Sequence, residues 1–289
     1  MGKYIKHEAL GKFVEVNGHK MHIFCTGQGK DTFVFMSGHG TSCPTLDFKP
    51  LWSILSGEYK IVVVERAGYG WSEATNTSRA LDTVLDETRK ALKLSDIEAP
   101  FILAPHSVSG LEAIYWAQKY PKEIKAIIGL DSAIPEVYNE DNILKMPSAR
   151  VISIMGFLAK IGIHKPFSKA ICKKEPAVCS GYLTKADIEA YVERFRKSTL
   201  TSDMLNEAKY IRQNANKVNN DLIPSNTPIY VFISKDNEKV IANWSKLLSD
   251  YVSAFKNGKY MILDCGHYLH AYEPEKIAKE INDFISNIV

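Results

Sequence analysis

The sequence predicts an α/β protein: a mostly parallel central sheet flanked by helices, with one inserted helical lid. Three observations predict it. Short apolar runs recur along the chain, and several are continuous rather than alternating, as in strands covered on both faces. Segments with apolar residues at helical spacing separate those runs. The alternation then stops after Ile134 and resumes near Thr227, with helix-like sequence and no convincing strand between. That interval is too long for a connection. It divides the chain into a core, residues 1–134 and 227–289, and a lid, residues 135–226.

The elements follow in order. "KFVEV" and "KMHIF" flank Asn17-Gly18-His19, and Asn-Gly between alternating segments is a strong hairpin signal. "TFVFM", "KIVVVE", "FILA", "KAIIGL", "PIYVFI" and "KYMIL" read as buried strands. In "RALDTVLDETRKALKL", Leu81, Val84, Leu85, Thr88, Ala91 and Leu92 share one helical face. Ile277, Ile281, Phe284, Ile285 and Ile288 do so in the last segment, and Pro274 stands where that helix begins. The lid carries Val151, Ile152, Ile154, Met155, Phe157, Leu158, Ile161 and Ile163. Some of these are expected in the lid's own core, others along an apolar pocket.

Composition narrows the function. With 289 residues, 45% hydrophobic and 24% charged, the chain has ordinary globular composition and a large core. The net charge of +3 comes from scattered residues, which gives nucleic-acid binding little support. No run has the length of a membrane span. "MGKYIKHEALGKF" lacks the apolar stretch of a signal peptide, although a chain trimmed of an anchor would read the same. Cys25, Cys43, Cys172, Cys179 and Cys265 form no CxxC pair or zinc spacing and read as reduced thiols. A cytoplasmic location is the expectation. Cys172 and Cys179 are near enough in sequence to bridge, an arrangement the composition does not favour.

Four pieces of chemistry stand out. In "FILAPHSVSGLEAIYWAQKYP", Ser107 sits between a strand end and a helix start. A sharp turn there exposes the hydroxyl and aims the next backbone N–H at a reacting oxygen. The positions two before and two after, usually Gly, hold Pro105 and Ser109; Gly110 follows and can still let the helix pack closely. In "LDCGHYLHAYEPEKIA", His267 follows the last strand and is placed to act as a base, with His270 a rival. In "FVFMSGHGTSCP", Gly38 and Gly40 are expected at positive φ, and the His39 and Val108 N–H groups could form an oxyanion hole. No GxxxxGK[ST] or GxGxxG occurs, so nucleotide binding is disfavoured. Two acids stand at strand ends as partners for the base: Asp131 after "KAIIGL", and Asp236 after "PIYVFIS".

With Ser, Asp and His in that order, the chain resembles the lid-bearing branch of the α/β-hydrolase fold over essentially its whole length. "VEVNGHKMHIFCTG", "SGHG", "VVVERAGYGWSE", "HSVSGLEAIYWAQKYP", "GLDSAIP" and "GHYLHAYEPEKIA" carry the resemblance. It implies a serine hydrolase acting through an acyl-enzyme, with no metal or organic cofactor. In that family the acid commonly follows the seventh strand in a Gly-x-x-Asp pattern. Here that pattern falls on Asn237, one residue after Asp236, so Asp131, after the sixth strand, is the favoured acid. The expected substrate is a small or medium, uncharged ester. A proline-type aminopeptidase, which would need lid acids such as Glu136, Glu140, Asp141, Asp187, Glu189 or Glu193, and a carbon–carbon bond hydrolase share this architecture. From another class, a non-catalytic ligand-binding protein could keep the same scaffold. The oligomeric state is not legible in the sequence.

Overall fold

The computed structural model describes residues 9–138, 149–218 and 226–288. Eight strands form one sheet: β1 Lys12–Val16, β2 His19–Thr26, β3 Thr32–Met36, β4 Lys60–Val64, β5 Phe101–Pro105, β6 Ile124–Leu130, β7 Ile229–Ser234 and β8 Gly258–Leu263. Their order is β1-β2-β4-β3-β5-β6-β7-β8. The β1–β2 and β2–β4 pairs are antiparallel and the remaining pairs are parallel. The hairpin at Asn17-Gly18 forms as expected, with both residues at positive φ, 51° and 83°.

Continuous apolar runs make sense once both faces are seen. Side chains alternate across a strand, so Phe33, Phe35, Ile61, Val63, Ile102 and Ala104 enter one core. The helices Lys49–Leu55 and Pro274–Asn287 cover it, through residues such as Leu51, Ile277 and Ile281. Val34, Met36, Val62, Val64 and Leu103 enter the other core. It is closed by Leu81–Lys93, Ser109–Lys119 and Trp244–Ser253. The six apolar positions assigned to one face of the first of these helices are all buried.

Between β6 and β7 the described residues are helical and contain no strand. The helices are Ala149–Lys160, Ser168–Cys172, Pro176–Cys179, Lys185–Ser198 and Ser202–Lys217. A separate apolar cluster joins them to the core, with Cys43 and Leu46 packed among Cys172, Ala177, Leu183 and Tyr191. The large apolar residues after position 150 depart from expectation. Val151, Ile154, Met155, Phe157, Leu158, Ile161 and Ile163 are exposed rather than packed in a core of their own; the Ile152 side chain lies outside the described residues. Gly156 is one position at which this helix closely approaches the Ser202–Lys217 helix, where a Cβ would lie 2.3 Å from Leu205 Cδ1. All five cysteines are free thiols, Cys172 and Cys179 included.

The turn after β5 explains its unusual composition. Pro105 is the last strand residue, where its missing N–H matters least. Ser107 has φ of +56°. Ser109 is buried, and its hydroxyl is within hydrogen-bond distance of the carbonyls of Met36 (2.7 Å) and His106 (2.8 Å). Gly110 takes the close approach: a Cβ would lie 2.1 Å from the Ala133 carbonyl oxygen. The small residue that the turn needs therefore sits one place later than usual.

Left-handed backbone at a non-glycine residue costs about 1 kcal/mol or more. Ser107→Gly should thus melt above Ser107→Ala by about 2 °C, because alanine keeps the strain and glycine removes it. Paired thermal melts check this; a Ser107→Ala midpoint at or above that of Ser107→Gly would show that the turn is unstrained.

Candidate active site

The chemistry-bearing residues come from separate loops at the carboxyl ends of the strands, where open α/β sheets form their crevice. Gly38 and His39 follow β3, Ser107 follows β5, Asp131 follows β6, Asn237 follows β7 and His267 follows β8. Gly40 is at positive φ (+80°), as expected, but Gly38 is not among the positive-φ residues. Gly38 is needed for space instead. A Cβ there would lie 2.9 Å from both His106 Nδ1 and Ser107 Cβ.

Asp131 is fully buried and has φ of +50°. Its Oδ2 lies 2.5 Å from His267 Nδ1. Oδ1 accepts from the Ser234 backbone N–H (2.8 Å) and from Trp244 Nε1–H (2.7 Å). The Asn237 amide donates to Oδ2 at 3.2 Å and lies 3.4 Å from His267 Nδ1. A carboxylate in this position accepts the Nδ1 proton, which leaves the lone pair on Nε2. The His267 side chain is 30% exposed.

The rival residues lie elsewhere. Asp236 is on the surface, in an ion pair with Lys239, and makes no contact with His267 among the described residues. It is one residue out of register, and Asn237 takes the inward position. His270 is fully buried, with Nε2 3.4 Å from Asp47 Oδ2.

His106 links the turn to His267. Their ring centroids are 4.5 Å apart, and His106 Nε2 donates to the His267 carbonyl oxygen at 3.2 Å. Burial first, then the neighbouring His267 and His270, hold His106 well below the ordinary imidazole range, so it is neutral. Ser107 follows it directly. No hydrogen bond joins the Ser107 hydroxyl to His267 among the described residues; such bonds are often long before substrate binds. The His39 and Val108 backbone N–H groups also have no acceptor among the described residues.

Behind the glycine loop lies a buried polar group that sequence reading missed. Arg66, just past β4, donates from Nη2 to the Ser37 carbonyl (2.5 Å) and from Nη1 to Glu207 (2.6 Å). Glu207 belongs to the inserted helix Ser202–Lys217. It also accepts from the Tyr69 hydroxyl and lies 3.2 Å from His39 Nδ1. Burial alone would raise the Glu207 carboxyl. Arg66, then His39 and Tyr69, outweigh it and hold the carboxyl down to about 2. Glu112, also facing Arg66 at 4.0 Å, goes the other way because burial dominates. No periodicity or motif marks Glu207, since helical acids are common. Trp244 was equally silent, and Asn237 was noted only as the place where the acid pattern falls.

Residues 42–274 match the sequence model of the alpha/beta hydrolase fold. The chain belongs to that family. It is 38% identical over 284 residues to the uncharacterized protein YbdG of Bacillus subtilis, covering 96% of this chain and 86% of that one. Solved structures agree on the fold. An epoxide hydrolase of Bacillus megaterium aligns with TM-score 0.72 at 16% identity, covering 95% of this chain and 100% of that one. An esterase of Exiguobacterium antarcticum aligns with TM-score 0.69 at 13% identity, covering 96% and 99%. No helix among the described residues is long and apolar enough to cross a membrane.

The Glu207 ion pair predicts how this α/β-hydrolase fold responds to acid. Its carboxyl is lowered on folding, so its contribution is complete above the unfolded value near 4.5 and is lost as pH falls towards about 2. The shift corresponds to roughly 3 kcal/mol. Glu207→Gln should destabilise the protein at pH 7 by that order and flatten the fall in stability between these two pH values. Urea unfolding of both proteins across the acid range checks it; parallel pH curves would show that Glu207 holds no charge worth keeping.

Proposed function

We propose that the protein is a serine hydrolase cleaving a small or medium, uncharged ester through an acyl-enzyme. The observation that carries the reading is the 2.5 Å contact of His267 with buried Asp131, the His267 ring lying 4.5 Å from that of His106, whose neighbour Ser107 has φ of +56°. Backbone strain of this kind tends to cluster at active sites, and Asp131 shares it at +50°.

In the proposed reaction Ser107 attacks the ester carbonyl while His267 Nε2 takes the hydroxyl proton. Asp131 keeps the imidazole in the tautomer with its proton on Nδ1 and stabilises the imidazolium that forms. The free N–H groups of His39 and Val108 receive the oxyanion. His267 then protonates the leaving alcohol and activates a water for deacylation. The inserted helices act as a lid over this edge of the sheet. A serine at the turn argues against epoxide opening or halide displacement, since those reactions on this scaffold use a carboxylate nucleophile. Glu207 does not serve as an acid for a substrate ammonium, because Arg66 already neutralises it.

A fluorophosphonate probe should label the wild type and not Ser107→Ala, with hydrolysis of short p-nitrophenyl esters lost in parallel. No labelling of the wild type would favour a binding protein. Asp131→Asn should lower turnover by about 10³-fold or more, whereas Asp236→Asn should leave it within about twofold. Equal, mild losses in the two variants would remove Asp131 from the proposed role.

A further inference from the structure

The helix Ala149–Lys160 has the reverse of the usual arrangement. Gly156 packs closely on Leu205 of the Ser202–Lys217 helix, and Val151, Ile154, Met155, Phe157 and Leu158 are exposed. At about 100° per residue, Val151, Ile154 and Leu158 project opposite Gly156. Phe157 is 62% exposed, and Phe167, in the following turn, 63%. Ile161 and Ile163 between them are also exposed. An apolar face of this size on one helix and its continuation marks a docking surface.

Charge says what docks there. Residues 142–174 contain seven Lys and Arg and no Asp or Glu. In the whole chain 36 basic residues stand against 33 acidic, so the remainder is net acidic. Lys160, Lys165, Lys169, Lys173 and Lys174 are all exposed. None makes an ion pair among the described residues. A second copy of this chain would bring the same lysines into opposition across a two-fold axis. An anionic surface that also accepts apolar side chains satisfies both halves of the pattern.

We propose that the 149–174 segment is a membrane-surface docking site, inserting its apolar side chains into a bilayer whose anionic headgroups meet the surrounding lysines. The site is independent of the proposed chemistry at Ser107, and its test reads binding alone. The full chain is sedimented with vesicles of phosphatidylcholine, or of phosphatidylcholine with about one-third phosphatidylglycerol. The wild type should pellet with the anionic vesicles, and rising salt should weaken that binding. Lys165→Glu/Lys169→Glu/Lys173→Glu should lower the partition coefficient at least about 100-fold, at roughly fivefold or more per charge. Phe157→Asp/Ile161→Asp should lower it about tenfold or more, with unchanged circular dichroism, because both side chains are exposed. Wild type remaining in the supernatant overturns the proposal, as does binding indifferent to lipid charge or to the lysine variant. A dimer in sedimentation velocity that Phe157→Asp dissociates, without vesicle binding, would instead make this face a contact between copies.

Discussion

The buried carboxylate of Asp131 is the constraint on which the rest of the site depends. It has no solvent contact, so every acceptor position must be met by a donor from the protein. Those donors come from the end of β7, from the loop after it, from the next helix and from the loop after β8. One charge therefore fixes the mutual positions of four segments. The imidazole is oriented as part of that same arrangement, and His106 ties its backbone to the turn at Ser107.

A second buried charge does comparable work on the other side of Ser107. Glu207 comes from the insertion and Arg66 from just past β4, and the carbonyls that Arg66 donates to belong to the glycine loop. The geometry of His39 is consequently coupled to the placement of the inserted helix Ser202–Lys217. The two carboxylates also differ in what surrounds them. Asp131 is met mainly by neutral donors, whereas Glu207 is met by a guanidinium.

Much of the fold was legible because its signals are local. The strands read from apolar runs match β1 to β8 within a residue or so, apart from the longer β2, and Asn17-Gly18 specified the hairpin. Ser107, His267 and both candidate acids came from position relative to strand ends, which a linear sequence records, whereas the preference for Asp131 over Asp236 came from the family resemblance. What it did not record was long-range pairing. Glu207 meets Arg66 across 141 residues, and nothing in either neighbourhood announces it. Gly38 was assigned positive φ when its actual constraint is the space taken by His106 and Ser107. The large apolar residues after position 150 were expected inside because hydrophobicity alone says "buried". In the structure seven of them are exposed, and that helix approaches its neighbour at a glycine.

Asn237 has a consequence for how such a site could change over evolutionary time. It occupies the place where relatives with a seventh-strand acid carry their carboxylate, and it touches both Asp131 and His267. An aspartate at both positions would set two anions about 3 Å apart, and one of them would take up a proton and stop serving the imidazole. The two strands therefore exclude each other as hosts for the negative charge. Moving the acid from one position to the other would first need an uncharged residue at one of them, as Asn237 is here.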